Sequence, residues 1–321
     1  MKKKVGLALG AGAARGFIHI GVLKVLHKHN ILPDFIAGTS MGAAIGALYG
    51  AGYSPNEIKD VAKTTKWKGV VDFTIPKSGL LKGELVEGKL RRILKNKTFD
   101  GLSLPLQVVS YNITKNKTVI FSKGDVARAV RASISIPGIF TPLVIDGDNY
   151  VDGMLGNPTP YDVVKRMGAD IVIAVDLHNE SGEISNIKLK RGSFFHQLKK
   201  KLILDELFNV KNYIFPKRWP HLLKKILDWF FDKIIFSKKV LKVIFRQEVP
   251  EVTKVMYHSF IALASNFAME RIKNAKIDIL INPSFKNLRL SDFDKVDEFV
   301  KIGEKAMEEK MPELKRLLRK K

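Results

Sequence analysis

The chain has 321 residues, 45% of them hydrophobic and 27% charged, with no cysteine and a formal net charge of +23. That length supports a full α/β core in one large domain or two smaller ones. The lack of cysteine excludes a disulfide framework and a thiolate metal site, and no apolar run reaches the roughly 20 residues a membrane-spanning helix needs. So positive a charge calls for an anionic partner, a lipid surface or a nucleic acid.

The first predicted element is the short apolar strand Val5-Gly6-Leu7-Ala8-Leu9, which runs into Gly10-Ala11-Gly12-Ala13-Ala14-Arg15-Gly16 and then a helix from Phe17. Lys2, Lys3 and Lys4 ahead of an apolar stretch resemble a secretion signal, but the stretch is short, glycine-rich and closed by Arg15. A cytoplasmic location is therefore expected. A dinucleotide site would use the same glycines, yet it needs an acidic residue at the end of a second strand, and Asp34 precedes its strand. The remaining reading is an oxyanion loop, whose backbone N–H groups at Gly12, Ala13 and their neighbours face a carbonyl oxygen that turns negative during acyl transfer.

That reading gains a partner at the next strand, Phe35-Ile36-Ala37, which leads into Gly38-Thr39-Ser40-Met41-Gly42 and the small-residue helix Met41 to Ala51. Glycines on both sides of Ser40 allow the sharp strand-to-helix turn of a nucleophile elbow, and the helix N-terminus favours developing negative charge. Helices are expected from Pro55 and from Glu84. Leu106 to Thr114 and Lys117 to Ser122 read as paired strands joined at Lys115-Asn116.

A serine nucleophile needs a base. Asn149-Tyr150-Val151-Asp152-Gly153-Met154 sets a carboxylate before a glycine at the end of a strand-like run, and a carboxylate held close and shielded from water can take the serine proton. Asp170 and Asp176, which bracket the buried strand Ile171 to Val175, are rivals for this role. Asp146 and Asp148 read as solvated turn formers. His19, His27 and His29 belong to the first helix and its end, while His178 and His258 stand in no recognisable turn. The alternation of strands and helices gives a three-layer α/β/α sandwich with a mainly parallel central sheet.

Residues 186–248 have a composition of their own, sixteen basic against five acidic residues, or +11 of the chain's +23, with eleven aromatic residues interleaved. Between Trp219 and Phe236, His221, Lys225, Asp228 and Asp232 fall on one helical face and Leu223, Ile226, Leu227, Phe230 and Ile234 on the other. Basic residues flanking an aromatic-rich apolar face suit a helix lying in an anionic lipid interface, with Trp219, Lys224, Lys225, Trp229, Phe230 and Phe231 as the docking residues. No base-reading motif accompanies the charge, so no nucleic acid is expected. Residues 1–185 then form the catalytic core, 186–248 a helical insertion acting as lid or membrane dock, and 249–321 a return to the core with a C-terminal helix. The stretch from Asp292 to Lys321, rich in Lys and Glu, reads as a solvated helix with a basic tail.

Four blocks in order resemble the patatin-like phospholipases of bacteria. They are Gly10 to Gly16 with Arg15, Gly38 to Gly42, Arg131-Ala132-Ser133-Ile134-Ser135-Ile136-Pro137-Gly138-Ile139-Phe140, and Asp152-Gly153. The resemblance spans Val5 to about Leu177 and implies a patatin-like fold, Ser40 as nucleophile, Asp152 as general base in a serine–aspartate dyad without histidine, and Gly10, Ala11, Gly12, Ala13, Ala14 and Arg15 as the oxyanion loop. It implies lipid ester hydrolysis of the phospholipase A or lysophospholipase type, with a phospholipid substrate and no metal or cofactor. An acyltransferase or thioesterase would share the acyl-enzyme, and a non-catalytic membrane protein would keep the fold. Ala11 and Ala13 depart from the all-glycine loop of many relatives: their N–H groups survive, but alanine adopts positive φ less cheaply. Arg15 and Arg131 either face a phosphate or hold loop carbonyls.

Overall fold

In the first strand, β1 (Val5–Leu9), the side chains of Val5, Leu7 and Leu9 enter one large apolar cluster while Ala8 enters a second on the opposite face. This two-residue alternation is what a strand buried on both faces produces. It recurs in β2 (Phe35–Thr39), β7 (Ile171–Val175) and β8 (Ile279–Ile281), where Ile36, Ile171, Ile173, Val175, Ile279 and Ile281 join the first cluster and Ala37, Val172 and Ala174 the second. The computed structural model describes residues 2–65, 81–178, 251–285 and 288–319. The insertion 186–248, with Trp219, Lys224, Lys225, Trp229, Phe230 and Phe231, lies outside the described residues.

Eight described strands form one sheet in the order β5-β6-β3-β2-β1-β7-β8, with β4 also paired to β3. The centre, from β3 (Leu106–Asn112) to β8, is parallel, whereas β4 (Lys117–Phe121), β5 (Leu143–Ile145) and β6 (Asp148–Asp152) run antiparallel to their neighbours. This is the expected helix-flanked, mainly parallel α/β sandwich. The β3–β4 hairpin turns at Lys115-Asn116 as the sequence predicts, with Asn116 at φ 49°.

The larger apolar face is covered by α1 (Ile18–Lys28), α2 (Met41–Gly50), α3 (Pro55–Thr64), α5 (Val126–Ser133) and α8 (Val296–Arg319), with α4 (Glu84–Ile93) at its margin. The start of α3 is set by Ser54, which accepts from the Glu57 N–H while Glu57 reaches back to the Ser54 N–H, with Pro55 at the first helical position. The smaller face carries α6 (Tyr161–Arg166) through Val163 and Val164. Small residues on that side of the sheet let this short helix approach closely: a Cβ on Gly6 would lie 2.6 Å from that of Ala169 and 2.9 Å from that of Val164.

Two sequence readings change. The C-terminal segment is no solvated helix: α8 buries Val296, Phe299, Val300, Gly303, Met307, Met311 and Leu314 along one stripe. Its charged residues occupy the outer face, and a Cβ on Gly303 would overlap the Ile18 carbonyl oxygen, so α8 and α1 cross backbone to backbone. Asp148 is no solvated turn former either. It begins β6, accepting from Asn112 Nδ2 at 2.9 Å and Lys115 Nζ at 2.6 Å. The turn belongs to Asp146 and Gly147, both at positive φ (50° and 80°), the pairing a tight hairpin favours.

Candidate active site

The geometry of the site follows from strand register. On one edge of β3, Thr39 of β2 pairs with Val109 and Asp152 of β6 pairs with Ser110, while β4 occupies the opposite edge. Because β2 runs parallel and β6 antiparallel to β3, their carboxyl ends meet head to head, and both chains must leave the sheet at one point. Ser40 and Asp152 are the residues at that junction. The Ser40 hydroxyl donates to Asp152 Oδ2 at 2.7 Å, with the two residues 4% and 0% exposed. Of the rivals, Asp170 accepts the Lys4 N–H, and Asp176 accepts from Thr159, His178 and Asn282; neither bonds Ser40.

Ser40 has φ 57° and ψ −122°, a region L-residues avoid, and the surrounding contacts hold it there. A Cβ on Gly38 would sit 2.6 Å from the Ala43 nitrogen, and one on Gly42 would overlap the Leu9 carbonyl, so both glycines are required for α2 to leave the strand so sharply. The Ser40 N–H donates to Ser133 Oγ at 2.8 Å, and Ser133 Oγ donates to the Val109 carbonyl at 2.6 Å. Sequence reasoning missed Ser133. Its signal was its place in the Arg131 to Phe140 block, at the end of a helix whose start is marked by the Asp125 cap.

Asp152 is fixed from three sides. Its Oδ1 accepts the Met154 N–H at 2.9 Å, its own N–H donates to the Ser135 carbonyl at 3.0 Å, and a Cβ on Gly153 would overlap the Val109 carbonyl. Burial pushes the carboxyl up to about 7, opposed by the hydrogen bonds from Met154 and Ser40. A carboxylate poised near neutrality is suited to accept and return a proton.

In the glycine-rich loop, Gly10 donates to the Val175 carbonyl, Ala11 to Pro158, Ala14 to Leu290 and Arg15 to Gly12. Of these six residues, only Gly12 and Ala13 have N–H groups without a protein acceptor among the described residues. Ala13 takes φ 46°, the left-handed conformation that an alanine adopts at some cost. The loop is braced from within by His19, fully buried, whose Nε2 lies 2.8 Å from the Gly10 carbonyl. A carbonyl only accepts, so Nε2 carries the proton; burial lowers the ring's pKa to about 4 against the opposing effect of that hydrogen bond.

Arg131 is buried and donates to the carbonyls of Lys82, Gly83 and Thr141 and to Ser135 Oγ, holding loops in place. Arg15 lies 4.3 Å from the centre of the Phe285 ring. His27 bonds Tyr49 and His29 pairs with Glu308, both away from Ser40, and the His258 side chain falls outside the described ones. An apolar wall adjoins the site: Ala11 and Met154 pack with Ala264, Phe260 and Ile261 of α7 (Glu251–Lys273). No described helix is long and apolar enough to cross a membrane.

The sequence model of the family described as patatin-like phospholipase matches residues 7–165. Those residues are a patatin-like phospholipase domain. The match holds the end of β1, the glycine-rich loop, the elbow and Asp152. An uncharacterized NTE family protein of Mycobacterium tuberculosis is 35% identical over 183 residues, 56% of this chain and 51% of that protein. Mouse patatin-like phospholipase domain-containing protein 6 is 35% identical over 184 residues, 55% of this chain and 14% of its own length. The rat patatin-like phospholipase domain-containing protein 7 is 28% identical over 308 residues, 93% of this chain and 20% of its own length. The chain thus spans about half the length of the mycobacterial relative and far less of the mammalian ones. Among solved structures, VipD from Legionella pneumophila aligns with a TM-score of 0.50 at 12% identity, covering 96% of this chain and 67% of that one, a likeness of fold alone. The match of residues 7–165 to the patatin-like phospholipase family is consistent with lipid ester hydrolysis.

Proposed function

We propose that this patatin-like phospholipase domain is a serine acyl hydrolase that cleaves carboxylic esters of membrane phospholipids or lysophospholipids through a Ser40–Asp152 dyad. The observation that carries the reading is the 2.7 Å hydrogen bond from a strained, buried elbow serine to a buried carboxylate, with no histidine between them. As Ser40 Oγ attacks the ester carbonyl, Asp152 takes its proton. The carbonyl oxygen becomes negative and is met by the Gly12 and Ala13 N–H groups, which the loop's other hydrogen bonds leave available. Asp152 returns the proton to the departing alcohol, and water then releases the acyl group from Ser40 by the reverse sequence.

The apolar wall of Met154, Phe260, Ile261 and Ala264 suits an acyl chain next to the nucleophile. The basic, aromatic-rich insertion 186–248 docks the catalytic core on an anionic bilayer. Fatty-acid release from anionic phospholipid vesicles by the wild type, Ser40→Ala and Asp152→Ala tests the enzyme: release by the wild type and none by either folded variant is expected. Release that survives Ser40→Ala refutes the dyad. Flotation with vesicles tests the docking, which fails if a chain lacking 186–248 binds as well as the whole.

A further inference from the structure

One buried pair beside the site has no part in the chemistry so far. Asp176 follows β7 directly, and its two oxygens accept from Thr159 Oγ1 at 2.8 Å and Asn282 Nδ2 at 3.0 Å. The His178 ring places Nδ1 2.9 Å from Asp176 Oδ1. A carboxylate only accepts, so the hydrogen of this bond is on Nδ1, the tautomer in which Nε2 is the lone-pair acceptor. Nε2 is buried, in a residue 6% exposed, and has no hydrogen-bond partner among the described residues. Asp176 alone would tie β7 to Thr159 and Asn282, so the tie leaves the unpartnered Nε2 unexplained. A buried acceptor of this kind calls for a water or a reaction component.

Its position favours a reacting water. The carboxyl ends of β7 and β1 are neighbours, with Leu9 paired to Val175 and the Gly10 N–H bonded to the Val175 carbonyl. Residues 176–178 therefore run beside the glycine-rich loop, and a Cβ on Gly12 would lie 2.7 Å from Leu177 Cδ1. Thr159, bonded to Asp176, ends the segment that leaves Asp152 and passes Thr39 and Ala11 through the Asn157 and Pro158 carbonyls. On the other side of β1, Leu9 pairs with Gly38 of β2, so residues 176–178, the glycine-rich loop and Ser40 leave the sheet at one carboxyl edge. His178 thus stands at the edge of the sheet shared by the oxyanion loop and Ser40, the side from which a water can reach an acylated Ser40.

We propose that His178, oriented by Asp176, accepts a hydrogen bond from the hydrolytic water and so commits the acyl-enzyme to hydrolysis instead of acyl transfer; this rests on the Ser40–Asp152 reading. The water oxygen bonds to the acyl carbon while Asp152 takes one of its protons. The carbon–Oγ bond then breaks, Ser40 Oγ recovers a proton from Asp152, and the fatty acid leaves. The second water hydrogen stays directed at His178 Nε2 throughout, so the imidazole ends as it began. An alcohol acceptor has no second hydrogen to place and does not need His178.

The test uses the full chain with p-nitrophenyl butyrate, in water and with glycerol present. Rapid mixing reads acylation as a nitrophenolate burst, product analysis reads butyrate against glyceryl butyrate, and intact mass reads acyl-Ser40. In His178→Ala the burst slows far less than the steady state, acyl-Ser40 accumulates, and the transfer-to-hydrolysis ratio rises by about tenfold or more. His178→Gln, which keeps an acceptor near the Nε2 position, returns the ratio toward wild type. If His178→Ala does not fold, Asp176→Asn, which loosens the ring's orientation, should raise the same ratio. An unchanged ratio, or a glutamine variant no better than alanine, overturns the proposal. Failure of the dyad reading looks different: wild-type protein then shows neither burst nor acyl-Ser40, and this inference falls with it.

Discussion

Replacing Asp152 with asparagine should stabilise the fold in a way that depends on pH. The side chain is fully buried, and burial raises its pKa from 3.8 to about 7. Because the folded value is the higher, the folded state keeps the proton that the unfolded chain loses from about pH 4 upward. Stability therefore falls as pH rises between about 4 and 7 and levels off above. A difference of about 3 units at about 1.4 kcal/mol each amounts to ~4 kcal/mol at pH 8, and less than half of that at pH 5. Asparagine keeps the shape and both contacts, its Oδ1 accepting from Met154 and its amide donating to Ser40 Oγ, yet carries no charge to desolvate. Urea unfolding of both proteins at pH 5 and pH 8 should show the variant's advantage growing by about 2–3 kcal/mol across that interval, while its esterase activity is lost. An advantage that stays constant with pH would mean that Asp152 is solvated or held as an ion, and the reasoning would be wrong.

Other positions carry separate consequences. Gly153→Ala drives a Cβ into the Val109 carbonyl and moves Asp152 off Ser40, so ester hydrolysis should fall by about 100-fold or more with the sheet retained, read by kcat and circular dichroism. Gly303→Ala, which forces α8 from α1 at Ile18, should lower stability by about 1–3 kcal/mol, whereas Gly88→Ala in α4, whose Cβ meets open space, should raise it by about 0.5–1 kcal/mol; thermal unfolding compares the two. Ser133→Ala removes the acceptor of the Ser40 N–H and should cost about 1–2 kcal/mol together with a loss of kcat, since the strained elbow loses its brace.

What the sequence could disclose was local. The turn at Gly38 to Gly42 needs residues whose shape alone forces it, and β1, β2 and β7 announce themselves as short apolar runs between turn signals. Asp152 was legible as a carboxylate before glycine, although its choice over Asp170 and Asp176 needed register: only β6 ends head to head with β2. The solvated reading of α8 failed because its Lys and Glu content masked a buried stripe at helical spacing, and because the Gly21–Gly303 crossing joins residues far apart in the chain. Asp148 was misread for the same reason, its partners Asn112 and Lys115 lying 36 and 33 positions back, at the end of β3 and in the turn that follows. The tie of Ser40 to Ser133, 93 positions on, is a tertiary fact that no spacing carries.

The central claim, that Ser40 is a nucleophile activated by Asp152, is tested most directly by labelling the full chain with an alkyl fluorophosphonate and locating the adduct by peptide mass spectrometry. The account predicts one adduct, on Ser40, formed at a rate that rises with pH through about 7 as Asp152 ionises, and none in Asp152→Asn. An adduct on another residue, or labelling of Ser40 undiminished without the carboxylate, would contradict it.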